Sequence, residues 1–563
     1  MANAENDEAQ RAVLMAQVAA PGETSLGDVA QRVAAAVVEA EPTNARAEWA
    51  ERFSALITDR AFLPSVPTLA NAGRGGQLAA CFALELADSL DSIYGSLHRA
   101  ARIQQGSGGV GIEFSALRPR GAPIGRSGGR TPGPVAFAEL FAHSAHVMGL
   151  AGRRAGAHLA ILRDDHPDIV EFVRAKRENP ERFPQLGLAV GIGDDLLRAA
   201  REDAPWTLHH ASGASGRIAA RGLLREIAES ILETGDPTLL FRDRIEADNP
   251  TPALGALRAT NPCGEQPLLS GESCVLGSIR LPSFTSPDGR LDELRLSRSV
   301  RDAVRFLDDT LEVNTWPDDD IAFASRRTRK LGLGVMGLAD VFLQRGLAYG
   351  RPEARELASH ILGLIAREAD ATTAALAKER GHFPAWERGP LRRNATTRAI
   401  APTGTLCLLA GCSPGIEPLL APRVALTTEQ GELAWTDESL AEWLARRVSD
   451  PKPVLDGLAA GRPHHDLPGL STADRVLLRR AWEIPADEQL SMQATAQRCV
   501  DGAISKTVQL DAADPPTPAA LVAWIQRARE LDCKGVAFYC RAETTAARID
   551  LRAACPSCAE SRS

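Results

Sequence analysis

The sequence lacks the features that mark secreted, membrane-spanning and nucleic-acid-binding proteins. Ten cysteines in 563 residues are too few for a disulfide-stapled secreted scaffold. There is no run of roughly 18 consecutive apolar residues, which a transmembrane helix needs. The first ten residues include three acidic ones where a secretory signal would be basic and then apolar. The formal net charge of −8 argues against binding to duplex nucleic acid. These absences predict a soluble protein of the cytoplasm.

The residues that are present fit one large α/β domain. Residues from about 25 to 60 have apolar positions three and four residues apart, which predicts amphipathic helices with Ser25 as an N-cap. Short apolar runs such as ACFALEL and GVGIEFSAL are typical of strands, and they alternate with helical stretches. The polar segment from about 429 to 485 is predicted to be a surface excursion, and the pattern fades into a tail after Tyr539.

Two glycine patterns imitate a dinucleotide-binding fingerprint. The spacing G-x-G-x-x-G occurs at Gly106, Gly108 and Gly111 and again at Gly332, Gly334 and Gly337. The fingerprint needs a strand before the glycines and a helix after them. The first instance follows a helical stretch and the second follows a basic run, so we interpret these glycines as tight backbone turns.

The most informative segment is NPCGEQPLLSGESC, residues 261–274. Asn261, Cys263 and Glu265 are two residues apart, so in extended chain they project from one face. A thiol, a carboxylate and an amide that converge on one substrate can abstract a hydrogen, remove a proton and hold a hydroxyl. Spacing alone leaves open a plainer alternative, a buried cysteine in a turn beside a solvated glutamate.

Ten segments in family order resemble the ribonucleotide reductases, particularly the adenosylcobalamin-dependent (class II) branch. Besides the cysteine segment they are PSVPTLANAG (64–73), QLAACFALELADSLDSIY (77–94), GGVGIEFSALRPRGAPI (108–124), GRRAGAHLAIL (152–162), DHPDIVEF (165–172), RKLGLGVMGLAD (329–340), RAIAPTGT (398–405), GCSPGIEP (411–418) and ISKTVQL (504–510). The resemblance implies a ten-stranded α/β barrel over residues 61–540. It also implies an N-terminal helical segment over 1–60 and a flexible C-terminal tail over 541–563.

The resemblance further implies reduction of ribonucleoside diphosphates to 2′-deoxyribonucleoside diphosphates by a thiyl-radical mechanism. Cys263 would become the thiyl radical and take the 3′ hydrogen of the ribose. Glu265 would act as general base on the 3′ hydroxyl, and Asn261 would orient that region. Cys81 and Cys274, which are 193 residues apart, would supply two electrons and finish as a disulfide.

Cys555 and Cys558 form the motif CPSC near the C-terminus. An isolated C-x-x-C is ambiguous between half of a zinc site and a redox dithiol. The sequence has no second C-x-x-C for a four-thiolate zinc site, so we predict no metal. We interpret the pair as a shuttle between a Cys81–Cys274 disulfide and an external reductant such as thioredoxin or a glutaredoxin-like protein. The cysteines that we interpret as structural are Cys407, Cys412, Cys499, Cys533 and Cys540.

The short turn PTGT, residues 402–405, can present backbone N–H groups and hydroxyls to a phosphate, although a plain turn is the alternative. The substrate-binding residues that the resemblance implies are Thr68, Ala80, Cys81, Gly109, Pro402, Thr403, Gly404 and Thr405. Asp88 and Ser89 resemble residues that hold the ribose of an allosteric deoxynucleotide. Arg118 and Arg154 would lie in the neighbouring specificity loops, with a solvated surface charge as the alternative for each. A homodimer is also expected.

The radical source can be argued from the tyrosines. The iron-dependent branch of the family passes the radical through two adjacent tyrosines, but here the matching place reads VAFYC, with Phe538 in the first position. Phenylalanine has no phenolic proton to relay. The resemblance therefore implies adenosylcobalamin as the cofactor. The alternatives are the large subunit of a metal-dependent (class I) reductase that needs a radical partner, and a catalytically silent deoxynucleotide-binding protein.

Overall fold

Helices and strands alternate along most of the chain, as the sequence predicts. The computed structural model describes residues 2–125, 128–151, 156–419, 423–428, 431–541 and 547–550. Over these ranges, no helix combines the length and the apolar character that crossing a membrane requires. The helices are α1 (Ala2–Gln17), α2 (Leu26–Val37), α3 (Arg46–Thr58), α4 (Val66–Asn71), α5 (Leu90–Gln105), α6 (Pro134–Ala151), α7 (Ile169–Glu178), α8 (Asp194–Arg201), α9 (Ala220–Thr234), α10 (Arg242–Ala247), α11 (Glu293–Val313), α12 (Asp319–Thr328), α13 (Leu338–Arg345), α14 (Pro352–Arg380), α15 (Gly404–Ala410), α16 (Glu438–Ala445), α17 (Lys452–Ala459), α18 (Thr472–Leu477), α19 (Ala486–Gln497) and α20 (Pro518–Glu530).

The strands that position the candidate site belong mostly to one large sheet, and the others form one three-stranded sheet and three two-stranded hairpins. The strands are β1 (Phe62–Pro64), β2 (Cys81–Glu85), β3 (Gly109–Glu113), β4 (Pro123–Ile124), β5 (Gly129–Arg130), β6 (His158–Arg163), β7 (Leu186–Ile192), β8 (Pro205–His209), β9 (Ser215–Ala219), β10 (Thr238–Phe241), β11 (Ala259–Thr260), β12 (Pro267–Leu268), β13 (Ser273–Arg280), β14 (Leu331–Met336), β15 (Arg423–Thr428), β16 (Gly431–Thr436), β17 (Thr507–Asp511), β18 (Gly535–Arg541) and β19 (Ala547–Asp550).

The N-terminal part is helical, as predicted. Ser25 caps α2 in a capping box: its hydroxyl accepts from the Asp28 N–H at 3.2 Å, and the Asp28 carboxylate accepts from the Ser25 N–H at 3.0 Å. Val29, Val33 and Val37 form the buried face of α2, which packs against α3 and α11. The predicted N-cap and the predicted helices are both confirmed.

The main sheet has ten strands, of which nine form two parallel halves and the tenth, β1, pairs antiparallel with β13. In the first half β2, β3, β6, β7 and β10 are parallel neighbours in that order. In the second half β13 is parallel to β14, and β17 is parallel to β18. The halves meet at two antiparallel seams, β2 with β13 and β10 with β18. Each seam is only two register pairs long.

Two isolated bridges complete the second half. Leu333 of β14 bridges to Arg398, and Ile400 bridges to Ile504, which lies shortly before β17. The segment 398–400 therefore connects β14 to β17 and closes the ring. Along β6, Leu159 belongs to the cluster inside the ring and Leu162 to the cluster under the helices. The predicted ten-stranded α/β barrel is confirmed.

Two expectations about the C-terminal third need correction. The described residues 431–485 are not a surface excursion, because α16 to α18 pack around an apolar cluster that includes Leu440, Trp443 and Leu444. Those apolar residues are separated by polar ones at helical spacing, which gives the segment its polar composition. Part of the predicted tail is also a strand, since β19 pairs in parallel with β15.

A buried ion network attaches the N-terminal helices to the barrel through Glu41, whose side chain is fully buried. The guanidinium groups of Arg305 and Arg380 each donate to this carboxylate at 2.7 Å. Burial would raise the pKa of Glu41, but the two guanidinium groups outweigh it and hold the pKa below its usual value. The network therefore requires an ionised Glu41.

We expect Glu41→Ala to lower the free energy of unfolding by about 2 kcal/mol, because it removes the buried carboxylate that two largely buried guanidinium groups share. Arg305 then keeps only Glu379, and Arg380 keeps Asp308 and Asp309. Urea unfolding followed by tryptophan fluorescence measures the change.

The matched control is Glu39→Ala, which removes a 63% exposed side chain paired with Arg46 and should cost less than about 1 kcal/mol. Equal effects of the two substitutions would contradict this account of the network.

Candidate functional site

Residues 261–266, the cysteine loop, lie inside the barrel between β11 and β12, which pair with each other as an antiparallel hairpin. The loop is tied at its base, because the Asn261 N–H donates to the Gln266 carbonyl at 3.1 Å and the Gln266 N–H donates to Asn261 Oδ1 at 2.9 Å. The Ala503 N–H holds the Glu265 carbonyl at 2.7 Å. Gly264 makes the turn at a φ of +84°, which glycine adopts without a steric penalty.

Strand glycines make room for the cysteine loop. A Cβ on Gly111 would lie 1.8 Å from the Thr260 carbonyl oxygen, and one on Gly332 would lie 2.4 Å from Nε2 of Gln266. Both glycines belong to the G-x-G-x-x-G patterns, and they lie in β3 and β14. The interpretation as tight turns is therefore wrong for Gly111 and Gly332, whereas Gly337, with a φ of +83° between β14 and α13, does make a turn.

Asn261, Cys263 and Glu265 meet Cys81 of β2 in the barrel interior. Asn261 Nδ2 donates to Cys81 Sγ at 3.1 Å, and the Cys81 thiol donates to Glu265 Oε1 at 3.9 Å. Asn261 and Glu265 are buried, whereas Cys263 at the tip of the loop is exposed to the cavity. Glu265 Oε2 has no partner among the described residues. Burial raises the pKa of Glu265 to about 7, although the neighbouring Asn261 amide opposes the rise.

Cys81 and Cys274 face each other across the β2–β13 seam as direct register partners. Opposed residues in an antiparallel pair have Cα atoms about 4.5–5.5 Å apart, within the range of about 4.4–6.8 Å that a disulfide spans. Both are free thiols, and burial raises the pKa of each well above its usual value. The pair can therefore be oxidised without moving the backbone.

These groups adjoin a cavity of about 950 Å³. It lies where the amino ends of the first-half strands meet the carboxyl ends of the second-half strands. Its volume is near the upper end of the roughly 300–1,000 Å³ usual for ligand pockets. The predicted site residues that line it are Ala80, Cys81, Gly109, Asn261, Cys263, Glu265, Pro402, Thr403, Gly404 and Thr405.

The PTGT turn forms the entry to α15 at the cavity wall. Thr403 has a left-handed φ of +54°, and its hydroxyl accepts from the Gly415 N–H at 2.8 Å. The helix begins at Gly404, so the first backbone N–H groups have no acceptor within the helix. Such groups suit an anionic ligand.

Thr68 is placed differently from the other predicted substrate residues. It is fully buried, its hydroxyl donates to the Leu78 carbonyl at 3.0 Å, and it is not part of the cavity lining. Ser65 and Ser413 line the cavity instead, and the sequence analysis missed both. Ser65 lies in segment 64–73 and Ser413 in segment 411–418, both of which resemble the family, so the resemblance could have indicated them.

Asp88, Ser89 and Arg118 lie together on the surface, apart from the cavity lining. Arg118 Nε donates to Asp88 Oδ2 at 2.6 Å, so this arginine is paired rather than simply solvated. Ser89 caps α5 by accepting from the Ser92 N–H at 3.2 Å. Three predicted residues, Arg154, Cys555 and Cys558, lie outside the described residues.

Buried lysines were missed although the sequence contained a signal for them. Only six of the 64 basic residues are lysines, and the four that are buried are Lys176, Lys330, Lys506 and Lys534. Lys330 contacts Glu272 at 2.7 Å, and Lys506 in the cavity wall contacts Glu417 at 3.1 Å. At these buried positions lysine offers a compact ammonium where arginine would place a planar guanidinium.

The fold and the site together define an α/β-barrel protein in which Cys81, Cys263, an asparagine and a glutamate share one cavity, with Cys274 directly behind Cys81. Residues 79–393 and 392–539 match the family described as "Ribonucleotide reductase, barrel domain", and residues 11–77 match "Ribonucleotide reductase, all-alpha domain". The chain belongs to the ribonucleotide reductase family, with the domains of its large subunit.

Several known proteins are similar to this chain. The "Vitamin B12-dependent ribonucleoside-diphosphate reductase" of Mycobacterium tuberculosis (strain CDC 1551 / Oshkosh) is 41% identical over 510 residues, which cover 86% of this chain and 71% of that protein. The protein of the same description from Thermoplasma acidophilum is 35% identical over 500 residues, covering 87% and 65%. The solved structure of the Actinobacillus ureae class Id ribonucleotide reductase alpha subunit matches with a TM-score of 0.80 at 22% identity, over 95% of this chain and 97% of that chain. That last likeness bears on the fold alone.

Proposed function

We propose that this protein is an adenosylcobalamin-dependent ribonucleotide reductase. It converts ribonucleoside diphosphates to 2′-deoxyribonucleoside diphosphates in the cytoplasm, for DNA precursor synthesis. One observation carries the proposal: Cys263, Glu265 and Asn261 share a cavity with Cys81, whose seam partner is Cys274. These residues come from three separate elements, so their convergence reflects the fold and not local spacing.

The reaction assigns a step to each side chain. The Cys263 thiyl radical takes the 3′ hydrogen atom, and Glu265 takes the proton of the 3′ hydroxyl. The Cys81 thiol protonates the 2′ hydroxyl, which leaves as water. Cys81 and Cys274 together give two electrons and become a disulfide, after which Cys263 returns its hydrogen atom to the 3′ carbon. The balance is one ribonucleotide and two thiols to one deoxyribonucleotide, one disulfide and water.

The remaining predicted residues have supporting roles in this proposal. The backbone N–H groups at Gly404 and Thr405 bind the substrate diphosphate. Asp88 and Ser89 hold the ribose of an allosteric deoxynucleotide, and Arg118 and Arg154 belong to the neighbouring specificity loops. Cys555 and Cys558 carry electrons from a thioredoxin-like reductant. The homodimer stays a prediction, because no finding on this chain tests it.

In this proposal the adenosyl group of the cofactor lies against the cavity wall formed by the ends of β7, β10 and β18. Gly187, Asp236, Ala537 and Tyr539 line the cavity there. Small side chains leave space beside the cysteine loop. The Tyr539 ring, which a Cβ on Gly235 would meet at 2.8 Å, offers an aromatic face. When bound, this cofactor supplies the organic radical to which the Cys263 thiol gives its hydrogen atom.

The tyrosines favour this cofactor over a partner subunit. Tyr539 pairs with Gln509 in the sheet and lines the cavity, whereas its neighbour Phe538 has no phenol. The other two tyrosines of the chain are distant in sequence: Tyr94 is exposed on α5, and Tyr349 is buried and donates to the Ile416 carbonyl. A relay through two adjacent tyrosines therefore has no counterpart here.

The test is anaerobic turnover of CDP by the purified chain with dithiothreitol and a deoxynucleotide effector, with and without adenosylcobalamin. We expect deoxycytidine product only when the cofactor is present. Product that requires an added metal-containing subunit would instead establish the class I alternative. Tight effector binding without any turnover of CDP or CTP would establish the silent binding protein.

A further inference from the structure

Gln509 places a carboxamide with an unsatisfied oxygen in the wall of the cavity. It lies in the middle of β17, where Val508 and Leu510 on either side belong to the apolar cluster under the helices. Because side chains alternate along a strand, Gln509 projects to the opposite face, and it lines the cavity. The residue is 7% exposed, and its Oε1 atom has no hydrogen-bond partner among the described residues. A buried polar atom of this kind costs stability unless a ligand or a water satisfies it.

The backbone at Gln509 is held in place by Gln489 of α19. The Gln509 N–H donates to Gln489 Oε1 at 3.1 Å, and Gln489 Nε2 donates to the Gln509 carbonyl at 2.9 Å. Gln489 itself is fully buried. Both backbone groups of Gln509 are therefore satisfied by one side chain, which fixes the strand at the point where the Gln509 side chain leaves it.

Tyr539 of β18 lies beside Gln509 as its direct register partner. Neighbouring strands are about 4.8 Å apart, and register partners in a parallel pair project to the same face. Both side chains line the cavity. The Tyr539 ring lies against Gly235, where a Cβ would come within 2.8 Å of it. This part of the wall therefore presents an aromatic ring with a carboxamide next to it.

The cations of the cavity lining already have carboxylate partners. The described lining contains two lysines and no arginine. Lys176 is paired with Asp236, and Lys506 is paired with Glu417 at 3.1 Å. Neither lysine can neutralise an anion without losing its partner. An uncharged group of a ligand therefore suits the wall at Gln509 better than a phosphate does.

A planar base that has a donor and an acceptor side by side matches this pair of residues. A carboxamide can accept from one atom of a ligand while it donates to the next. Adenine offers that combination at N6 and N7, the edge to which glutamine binds in nucleic acids. An aromatic side chain beside the carboxamide can stack on the face of the base.

We propose that Gln509 recognises the adenine base of the adenosyl group through its carboxamide and that Tyr539 stacks on that base. Gln489 is the positioning residue, since it fixes the backbone from which the Gln509 side chain extends. This inference rests on the proposed function, which supplies the cofactor. It adds the residue by which the protein distinguishes the organic group of that cofactor from another.

The recognition can be tested by binding alone. Equilibrium dialysis of the full chain, in the dark and with a deoxynucleotide effector, measures affinity for adenosylcobalamin, for its analogue with hydrogen in place of the 6-amino group, and for methylcobalamin. We expect adenosylcobalamin to bind about tenfold more tightly than the analogue, because a glutamine–adenine pair discriminates on that scale. Gln509→Met keeps the length of the side chain without its hydrogen-bonding groups. It should lose the tenfold difference and bind methylcobalamin as the wild type does.

The matched control is Gln493→Met. Gln493 of α19 is also buried, and its Oε1 atom has no partner among the described residues, but it is not part of the cavity lining. It should keep the tenfold difference. Thermal unfolding without cofactor separates the two glutamines further. Gln493→Met should lower Tm, because its Nε2 donates to the Gly535 carbonyl at 2.8 Å, whereas Gln509→Met removes an unsatisfied atom and should leave Tm unchanged or raised.

The outcomes separate this inference from the proposed function. A chain that binds none of the three cobalamins overturns the proposed cofactor and, with it, the proposed function. Binding of adenosylcobalamin with no preference over the analogue, or a preference that persists in Gln509→Met, overturns only the role of Gln509. If Gln509→Met does not bind methylcobalamin, Gln509→Asn, which withdraws the carboxamide by one methylene group, gives the same decision.

Discussion

Cys263→Ala is expected to reduce CDP turnover by at least about four orders of magnitude, the scale seen when the group that carries the covalent chemistry of an enzyme is removed. In the proposed mechanism no other group takes the 3′ hydrogen atom, because Cys81 and Cys274 supply the electrons. Since Cys263 is exposed at the tip of the loop, the free energy of unfolding should change by less than about 0.5 kcal/mol. Anaerobic product formation and urea unfolding measure the two quantities.

The matched control for this substitution is Cys499→Ala. Cys499 is half-buried, and its thiol donates to the Thr495 carbonyl away from the cavity lining. It should retain near wild-type turnover. Substantial activity in Cys263→Ala would contradict a mechanism with a thiyl radical on Cys263, whether or not turnover requires the cofactor.

Glu265→Gln is expected to lower kcat by about 10²–10⁴-fold, the usual contribution of a general base. The amide keeps the size of the side chain and can still contact Cys81, but it cannot accept the 3′ hydroxyl proton. Because the pKa of Glu265 is raised to about 7, the carboxylate that acts as base is lost as the pH falls below that value. Wild-type kcat/KM should therefore fall about tenfold per pH unit below about 7, and this limb should vanish in Glu265→Gln.

A second buried carboxyl provides the control for the pH profile. Burial raises the pKa of Glu113 to about 7 as well, but Glu113 ends β3 and is not part of the cavity lining. Glu113→Gln should keep the acid limb of wild-type kcat/KM. If the fall of kcat/KM at low pH disappears in Glu113→Gln and persists in Glu265→Gln, Glu265 is not the base.

Features set by local spacing could be predicted from the sequence. The N-cap at Ser25 and the helices after it follow from side-chain pattern alone, and the structure has both. The spacing of Asn261, Cys263 and Glu265 predicts one shared face only in extended chain, whereas the structure has a turn there, closed by the Gly264 N–H on the Asn261 carbonyl. It was the family resemblance that favoured a catalytic loop. The barrel also followed from that resemblance, since no periodicity gives the number of strands.

Features set by contacts between distant segments could not be predicted in this way. No spacing relates Cys81 to Cys274 or Glu272 to Lys330, because a seam and a ladder bring them together. The hydroxyl of Thr68 donates to the Leu78 carbonyl and does not reach the cavity. A motif match could not show this, because it carries no information on side-chain direction. Gly111 and Gly332 were assigned to turns because the sequence does not show the loop that packs on them.

The seam between β2 and β13 consists of two register pairs, and one of them is Cys81 with Cys274. A disulfide there staples the two halves of the barrel together and closes a loop of 193 residues. Chain entropy gives such a cross-link about 5 kcal/mol of resistance to unfolding. In the proposed mechanism the protein would therefore gain and then lose this resistance to unfolding once in every catalytic cycle. A cell that ran short of reductant would accumulate it in the form most durable against heat and proteolysis.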